Sequence, residues 1–433
     1  MTRQPVVIIG GGLTGLVAAH RLEEQRHSAL VLEREAEPGG ACRSIRAGDF
    51  VFDYTGHLLH IQRPETRRYL EDLGVWQKLA AHERRAAIHV QGTTTPYPIQ
   101  IHTWGLPAEL RRHCLLGFIR AWAAREQRAD PKNFEQWVLD RFGAGLAKVF
   151  FFPYNQKLFR ARPEELSLDW VGRYVPKPDL EEVVDGALGL HDEAVGYNAS
   201  FYYPRTGGIR MLPDAVARRI DGLELDAEVT AIHLAERWLE LKDGRRVAWD
   251  RLVSTVSLHA AVDLVQDVLP DDVREAREAL RWVRVLNIAL GVAGAAPRPE
   301  HWLYFPEPEL PFYRVGFPSN HGDVAPSGHH SVSVEISLKP GEGSPTEVAE
   351  HAEEALAAAG YLDRHAVRVR RLTVLDPSYV VFDHRRRDAV SRLRRFFSQR
   401  GVMLAGRWAE WKYSAMEDAI LDGFSVARRI HGR

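Results

Sequence analysis

Two stretches of the chain contain residues suited to binding anions. In the first, Gly10, Gly12 and Gly15 have the spacing GxGxxG, and Glu33 follows Gly15 by 18 positions. Glycines in this pattern permit a tight turn, bring backbone N–H groups close to a pyrophosphate and let a helix pack on a strand. An acid at this distance can accept hydrogen bonds from a ribose. The pattern therefore indicates a dinucleotide site.

The second stretch is "LYFPEPELPFYRVGFPSN", residues 303–320, in which Arg314 follows Phe312 and Tyr313. Aromatic runs on both sides of a turn rich in Pro and Glu predict a β-hairpin. The period of two predicts that Phe312 and Arg314 share one face of a strand, with Tyr313 on the other. Arg314 is either a solvated residue at a sheet edge or a ligand for an anion. The hairpin alone leaves both interpretations open.

The glycines lie between predicted elements of β-α-β order. The run "VVIIG" begins at Val6, "LVAAHRLEEQ" has helical periodicity, and "ALVLE" ends at Glu33. The helix N-terminus would then face the phosphates. Gly39, Gly40 and Arg43 follow directly, as in the two-dinucleotide-binding flavoproteins. This continuation favours FAD over NAD and makes Arg43 a predicted counter-charge for the pyrophosphate.

Composition limits the classes of partner. The chain has 433 residues, and its 57 Lys and Arg almost cancel its 58 Asp and Glu, so no net field favours nucleic acid or an anionic membrane. Two cysteines cannot form a disulfide framework, and no secretory signal opens the sequence, which predicts a cytoplasmic location. The apolar runs are shorter than the roughly 20 residues of a spanning helix, so no integral membrane segment is predicted.

Other chemistries lack their motifs. The sequence contains no GxSxG, HExxH or CxxC. The pairs His57/His60 and His329/His330 have no matching carboxylates or thiolates, and we expect no metal. No oligomeric state is predicted.

The order of elements predicts an α/β protein built around a Rossmann-like FAD-binding domain of the two-dinucleotide-binding, glutathione-reductase-like type. We expect this domain to be discontinuous, formed by residues 1–95, 205–262 and 395–433. A mainly helical substrate domain is expected at 96–204, where the periodicity turns helical. An antiparallel-sheet substrate domain is expected at 263–394.

Beyond the dinucleotide fingerprint, segments spread over most of the chain resemble the flavin-dependent UDP-galactopyranose mutases, more closely their eukaryotic-type branch, within the amine oxidase and protoporphyrinogen oxidase-like superfamily. The resembling segments are "FDYTGHLLH", "YPIQ", "FFFPYNQKLF", "LDWVGR", "GYNASFYYPRTGGI", "LYFPE" with "PFYR", and "GRWAEWKY". The first arginine of the family pattern stands one residue later, where this chain has Tyr174, so Arg173 is a candidate shifted in register.

The resemblance implies a role for each matched residue. The implied catalytic residues are His57, Arg173, Tyr304, Arg314 and Tyr413. The implied substrate contacts are Tyr97, which would stack on uracil, Gln100, Phe150, Asn155, Phe159, Asn198 and Tyr313. The expected cofactor contacts are Gly10, Gly12, Leu13, Thr14, Gly15, Glu33, Arg34, Gly40, Arg43, Gly56, His57, Val229, Gly406, Arg407 and Met416.

The activity implied by the resemblance interconverts pyranose and furanose forms of a nucleotide sugar without net redox, through attack of reduced flavin N5 on the anomeric carbon. A UDP-sugar is the expected substrate, and an external reductant such as NAD(P)H would keep the FAD reduced. Two alternatives remain: an FAD-dependent oxidoreductase of the amine oxidase or protoporphyrinogen oxidase type, and a non-catalytic binding relative.

Overall fold

The computed structural model describes residues 5–190 and 199–432, without the side chains of Arg173 and Tyr174. Asn198, a predicted substrate contact, and the side chain of Arg173, a predicted catalytic residue, therefore lie outside the described part. Its helices are α1 (Leu13–Glu24), α2 (Pro64–Asp72), α3 (Ala108–Ala123), α4 (Phe134–Leu146), α5 (Phe152–Phe159), α6 (Val171–Tyr174), α7 (Leu180–Leu188), α8 (Met211–Ala217), α9 (Leu258–Asp263), α10 (Asp271–Glu278), α11 (Pro345–Ala358), α12 (Arg386–Gln399) and α13 (Met416–His431).

The strands of the described part are β1 (Val6–Ile9), β2 (Ala29–Leu32), β3 (Ser44–Ala47), β4 (Phe50–Asp53), β5 (Leu79–Glu83), β6 (Ala86–Val90), β7 (Thr93–Pro96), β8 (Ser200–Pro204), β9 (Leu223–Glu224), β10 (Val229–His233), β11 (Trp238–Leu241), β12 (Arg246–Ala248), β13 (Leu252–Ser254), β14 (Trp282–Ala293), β15 (Trp302–Tyr304), β16 (Arg314–Gly316), β17 (His329–Leu338), β18 (Val367–Val380) and β19 (Val402–Leu404).

A five-stranded parallel sheet supports the glycine-rich turn. Its order is β19-β13-β1-β2-β9, and each of its four pairings is parallel. All four residues of β1 are buried, because a parallel sheet is covered on both faces and its strands are continuous apolar runs. The helices α1 and α13 pack against each other beside this sheet. The predicted β-α-β unit is confirmed.

A seven-stranded mixed sheet supports the hairpin. Its order is β18-β14-β17-β16-β15-β6-β7. The pairings are antiparallel except for β15 with β6, which is parallel. In this sheet Arg314 of β16 is the register partner of both Tyr304 on β15 and Glu335 on β17. The sheet thus places Arg314, which is predicted to bind an anion, opposite the carboxylate of Glu335.

The hairpin is confirmed, but the predicted sharing of faces is wrong. Phe312 is fully buried in the apolar cluster of the seven-stranded sheet, whereas the side chains of Tyr313 and Arg314 both reach Glu335. The strand begins only at Arg314. The period of two therefore does not extend back to Phe312.

The mainly helical part, α3 to α7, packs through a cluster of aromatic side chains. The rings of Phe142 and Phe151 are stacked with centroids 4.5 Å apart, and Phe134 lies 5.0 Å from Trp170. A π-helical turn, Ala147–Phe151, joins α4 to α5. The resulting fold is the expected mixed α/β architecture. The three domain boundaries stay a prediction.

Candidate functional site

The turn between β1 and α1 requires glycine at two positions. Gly10 has φ of +103°, and a Cβ atom there would lie 2.4 Å from Oγ1 of Thr255. A Cβ atom at Gly15 would lie 2.1 Å from the carbonyl oxygen of Gly10. A side chain at Gly10 would be strained by the positive φ and would meet the Thr255 hydroxyl, and one at Gly15 would meet backbone, so the first and third glycines shape the turn.

Gly12 differs, because its missing side chain leaves space in a cleft. A Cβ atom at Gly12 would meet only the Cα atom of Gly40, at 4.0 Å. Gly12 precedes α1, which has no side-chain cap and no acidic residue in its first turn. The N–H groups at this helix end, including those of Leu13 and Thr14, are therefore suited to an anion. These residues fit the pyrophosphate of a flavin dinucleotide.

The first part of the cleft contains Glu33 and has a volume of about 850 Å³. Glu33 is buried, and its Oε2 and Oε1 accept hydrogen bonds from the backbone N–H groups of Gly11 (2.6 Å) and Glu35 (3.0 Å). Each carboxylate oxygen has two lone pairs, so capacity for a ribose hydroxyl remains. Arg34 and Val229, also predicted to contact the cofactor, line the same part.

Arg43 holds the loop that faces Gly12. Its Nε donates to the carbonyl of Gly40 (3.0 Å), and its Nη1 pairs with Glu35 at 3.3 Å. The guanidinium carbon lies 4.8 Å from the centre of the Tyr54 ring. Arg43 is thus at the cleft with part of its charge neutralised by Glu35. Its role toward the pyrophosphate stays a prediction.

The second part of the cleft continues from Gly12 and Gly40 and has a volume of about 270 Å³. It brings together most of the remaining predicted catalytic and cofactor residues. Those that line it are Gly56, His57, Tyr304, Tyr313, Arg314, Gly406, Arg407, Tyr413 and Met416. The sequence analysis did not single out Trp302, Tyr379 or Trp408, which line it as well.

Arg314 is held by a buried carboxylate. Its Nε donates to Glu335 at 3.1 Å, and its Nη2 donates to both oxygens of Glu335 at 2.6 and 2.7 Å. Within residues 5–190 and 199–432, its Nη1 has no hydrogen-bond partner in the protein. Arg314 is therefore not a solvated edge residue. One edge of its guanidinium is fixed, and Nη1 is left for a ligand in the cleft.

Arg407 supplies a second guanidinium to the cleft. Its Nη1 donates to the carbonyl of Ser414 (2.7 Å) and its Nη2 to that of Ser378 (3.2 Å). No carboxylate pairs with it in the part of the chain that the structure describes. The guanidinium lies over the rings of Tyr379 and Tyr413, at 5.1 and 5.3 Å. Arg407 therefore gives this part of the cleft a positive charge.

Tyrosine rings surround the two arginines. Tyr379 and Tyr413 are stacked with centroids 6.1 Å apart, and Tyr304 contacts Tyr97 at 5.0 Å and Tyr154 at 5.4 Å. Burial raises the pKa of Tyr379 to about 12 and also raises the pKa of Tyr304. Both phenols keep their protons at neutral pH. They can donate hydrogen bonds to an anion.

His57 is neutral in the cleft. Burial lowers its pKa to about 4. Its Nδ1 lies 3.1 Å from the carbonyl oxygen and 3.3 Å from the hydroxyl of Thr55. Because a carbonyl only accepts, we assign the proton to Nδ1, the tautomer that satisfies the shorter contact. Nε2 is then an acceptor.

The predicted base-stacking residue lies behind Tyr304. Tyr97 does not line either part of the cleft, and the guanidinium of Arg84 lies 4.8 Å from its ring centre. One face of the Tyr97 ring is therefore occupied by an arginine. Stacking of Tyr97 on a base stays a prediction.

Other predicted substrate residues are buried with protein partners. Gln100 donates to the carbonyl of Pro176 (3.0 Å) and Asn155 to that of Phe151 (2.7 Å). Phe150 stacks on Tyr154 at 5.0 Å. Phe159, which is 1% exposed, packs on Trp170. None of these four residues lines the two cleft parts, and their roles stay predictions.

Glu335, which anchors Arg314, could have been noticed in the sequence. It is the only charged residue in the apolar run "SVSVEISL", and a charge in a buried strand requires a partner. Tyr379 had no such signal. Among the described residues no group of three or more His, Cys, Asp or Glu side chains could hold a metal ion, and no described helix is long and apolar enough to span a membrane.

Comparisons with known proteins agree with a flavin site. A crystal structure of a reduced UDP-galactopyranose mutase has a TM-score of 0.92 at 26% identity and covers 99% of this chain and 95% of that one. The dTDP-fucopyranose mutase of Escherichia coli is 25% identical over 171 residues, which are 37% of this chain and 43% of that protein. The match thus spans less than half of the curated mutase. These similarities confirm the resemblance to the mutases predicted above.

A second group of relatives has oxidase names. Coproporphyrinogen III oxidase of Mycobacterium tuberculosis is 25% identical over 321 residues, 69% of each chain. A family model described as flavin containing amine oxidoreductase matches residues 13–431. Since this match covers nearly the whole sequence, the chain belongs to the flavin-containing amine oxidoreductase family.

Proposed function

We propose that this protein is a flavin-dependent mutase that interconverts pyranose and furanose forms of a UDP- or dTDP-linked hexose without net redox. The observation that supports this most strongly is the content of the cleft beyond the dinucleotide turn. Arg314, Arg407 and the tyrosines Tyr304, Tyr379 and Tyr413 line one volume. Fixed guanidinium groups with phenolic donors suit a diphosphate, which needs charge neutralisation without any change in protonation.

FAD is the proposed cofactor, held by the β1–α1 turn, Glu33, Arg43 and the cleft residues Gly406 and Met416. When reduced, it supplies an electron-rich nitrogen that can displace a nucleoside diphosphate from an anomeric carbon. An external reductant such as NAD(P)H would supply the electrons.

The chain's own residues would handle the leaving group. Nη1 of Arg314 and the guanidinium of Arg407 bind the diphosphate oxygens as charge develops on them, because preorganised donors cost no rearrangement in the transition state. Tyr304 and Tyr379 donate hydrogen bonds with protons that they retain. Arg173 and Asn198 are proposed to complete the site. Neutral His57 offers Nε2 as an acceptor for a sugar hydroxyl.

The oxidase relatives give a second candidate function. A coproporphyrinogen-type oxidase would consume oxygen in the steady state, and the aromatic lining of Trp302, Tyr379 and Trp408 would also suit the pyrrole rings of such a substrate. The two arginines favour the mutase, because guanidinium groups and tyrosine hydroxyls gathered in one cleft suit a compact diphosphate better than carboxylates spread around the rim of a macrocycle.

The test distinguishes a nucleotide-sugar substrate from a porphyrinogen, and a UDP-sugar from a dTDP-sugar. Purified protein reduced with dithionite is incubated with UDP-galactofuranose, and in parallel with a dTDP-hexofuranose, and the nucleotide sugars are resolved by chromatography. The proposal predicts conversion to the pyranose form for one of them only after reduction. Oxygen consumption with coproporphyrinogen and no sugar conversion would establish the oxidase instead.

A further inference from the structure

Glu335 contacts two residues that line the second part of the cleft, Arg314 and Gly56. It lies on β17, between β14 and β16 in the interior of the seven-stranded sheet, and is 2% exposed. We propose that Glu335 is a positioning residue that fixes Arg314 for anion binding and, through the N–H of Gly56, fixes the loop that faces the flavin. The Arg314 half of this inference rests on the proposed function.

The hydrogen bonds to Glu335 come from two separate segments of the chain. Besides the three hydrogen bonds from Arg314, its Oε2 accepts one from the Tyr313 hydroxyl (2.5 Å) and its Oε1 accepts one from the N–H of Gly56 (3.1 Å). Tyr313 precedes β16 and Gly56 belongs to the loop after β4. A single carboxylate therefore ties the arginine strand to a loop that is distant in sequence.

Charge strengthens these contacts. Burial alone would raise the pKa of Glu335, but Arg314 and the hydrogen bonds from Tyr313 and Gly56 outweigh burial and hold the pKa below its ordinary value. Glu335 is therefore ionised, and its hydrogen bonds are of the stronger, charge-assisted kind. The backbone of Gly56 also lies close to Arg314, since a Cβ atom there would be 3.2 Å from Nη2.

The shape of the guanidinium explains why this anchor matters for binding. Arg314 offers its Nε and Nη2 to Glu335 and retains Nη1 for the cleft. Without the carboxylate, the guanidinium group of Arg314 is free to rotate. Binding of the nucleotide must then order this group at an entropic cost. The Gly56 N–H would also lose its acceptor.

The experiment compares Glu335→Gln with a matched control. Glu353→Gln changes another buried glutamate that pairs with an arginine, Arg370, at 2.6 Å, and neither residue lines the cleft. Glu335→Gln is also made in the background of Arg314→Met. For each variant, UDP and dTDP dissociation constants, the flavin midpoint potential and the thermal midpoint are measured on flavin-loaded protein.

We expect Glu335→Gln to weaken nucleotide binding by about tenfold, the effect of one charge-assisted hydrogen bond, and to raise the flavin potential, because a buried negative charge near the reduced flavin is lost. In the Arg314→Met background the effect on binding should vanish, and the effect on potential should shrink, because Glu335 then lacks the arginine that holds its pKa low. Glu353→Gln should change only the thermal midpoint.

Two results would overturn the inference. One is a Glu335→Gln variant with unchanged potential and unchanged binding, which would leave a purely structural role. The other is an effect on nucleotide binding that is the same with and without Arg314. If wild-type protein binds neither nucleotide, the proposed function fails, and the flavin potential alone then decides the role of Glu335.

Discussion

Arg314 has two tasks that different substitutions should separate. Its Nε and Nη2 neutralise Glu335, and its Nη1 is proposed to bind the diphosphate. Arg314→Ala removes both functions, whereas Arg314→Lys keeps one positive charge beside Glu335. An ammonium group is a point charge and cannot reach Glu335 and the diphosphate in the forked geometry of arginine. The lysine variant should therefore be stable but weak in binding.

The magnitudes follow from the contacts. Removing one member of a buried ion pair costs about 3–5 kcal/mol, so Arg314→Ala should lose that much unfolding free energy. Arg314→Lys should lose only about 1–1.5 kcal/mol, since a charged partner remains. A hydrogen bond to a charged group contributes about 1.5–3 kcal/mol, so both variants should bind UDP or dTDP more weakly by roughly 10- to 150-fold.

The assay combines thermal unfolding with nucleotide titration. Unfolding is followed by flavin release and by circular dichroism, and binding is followed by calorimetry below the unfolding temperature of each variant. The reasoning fails if Arg314→Lys binds nucleotide like the wild type, because charge alone would then suffice. It also fails if the lysine and alanine variants are equally unstable.

Three further outcomes are expected. Gly12→Val should fold with an unchanged thermal midpoint in its flavin-free form but lose the 450 nm absorbance, because the new side chain enters the open space at the cleft; retained flavin would contradict this. Lys157 does not line the cleft, but its Nζ donates to three carbonyls of the hairpin turn at 2.5–3.1 Å. Lys157→Met should therefore loosen the hairpin that contains Arg314 and weaken nucleotide binding. Unchanged affinity would show that the hairpin turn does not affect binding. Burial lowers the pKa values of His82, His301 and His321, that of His301 to about 4. The unfolded chain therefore binds more protons than the folded chain below pH 6.5, and the thermal midpoint should fall as the pH is lowered from 6.5 toward 4. His301→Gln should reduce this fall, and an equal fall in the variant would exclude the cluster as its cause.

The glycine turn could be predicted because its causes are local. Gly10 and Gly15 are required by contacts within the turn and with one adjacent strand. Strand, turn and helix follow one another in sequence, so their periodicities reveal them. The sequence thus predicted the β-α-β unit and its turn.

The partner of Arg314 could not be predicted, because strand register sets it. Glu335 lies opposite Arg314 only because β16 and β17 pair with one particular alignment. Tyr379 reaches the cleft from β18, at the edge of the same sheet. Local spacing carries no information about such contacts.

Packing also decides the surroundings of the residues matched by resemblance. Gln100 and Asn155 each donate to a backbone carbonyl, and Arg84 covers one face of Tyr97. A motif match identifies the residue but not its neighbours. The prediction that Phe312 and Arg314 share a face failed for a related reason, since the start of β16 is fixed by pairing with β15 and β17.

The central claim is that the reduced flavin acts without being consumed, and a turnover count tests it most directly. Anaerobic protein is reduced with a known amount of dithionite, and the amount of pyranose formed from the furanose nucleotide sugar is measured against the electron pairs supplied. We predict many product molecules per electron pair, with the flavin still reduced at the end. A yield of no more than one pyranose per flavin would contradict the claim, because the reduced flavin would then not act catalytically.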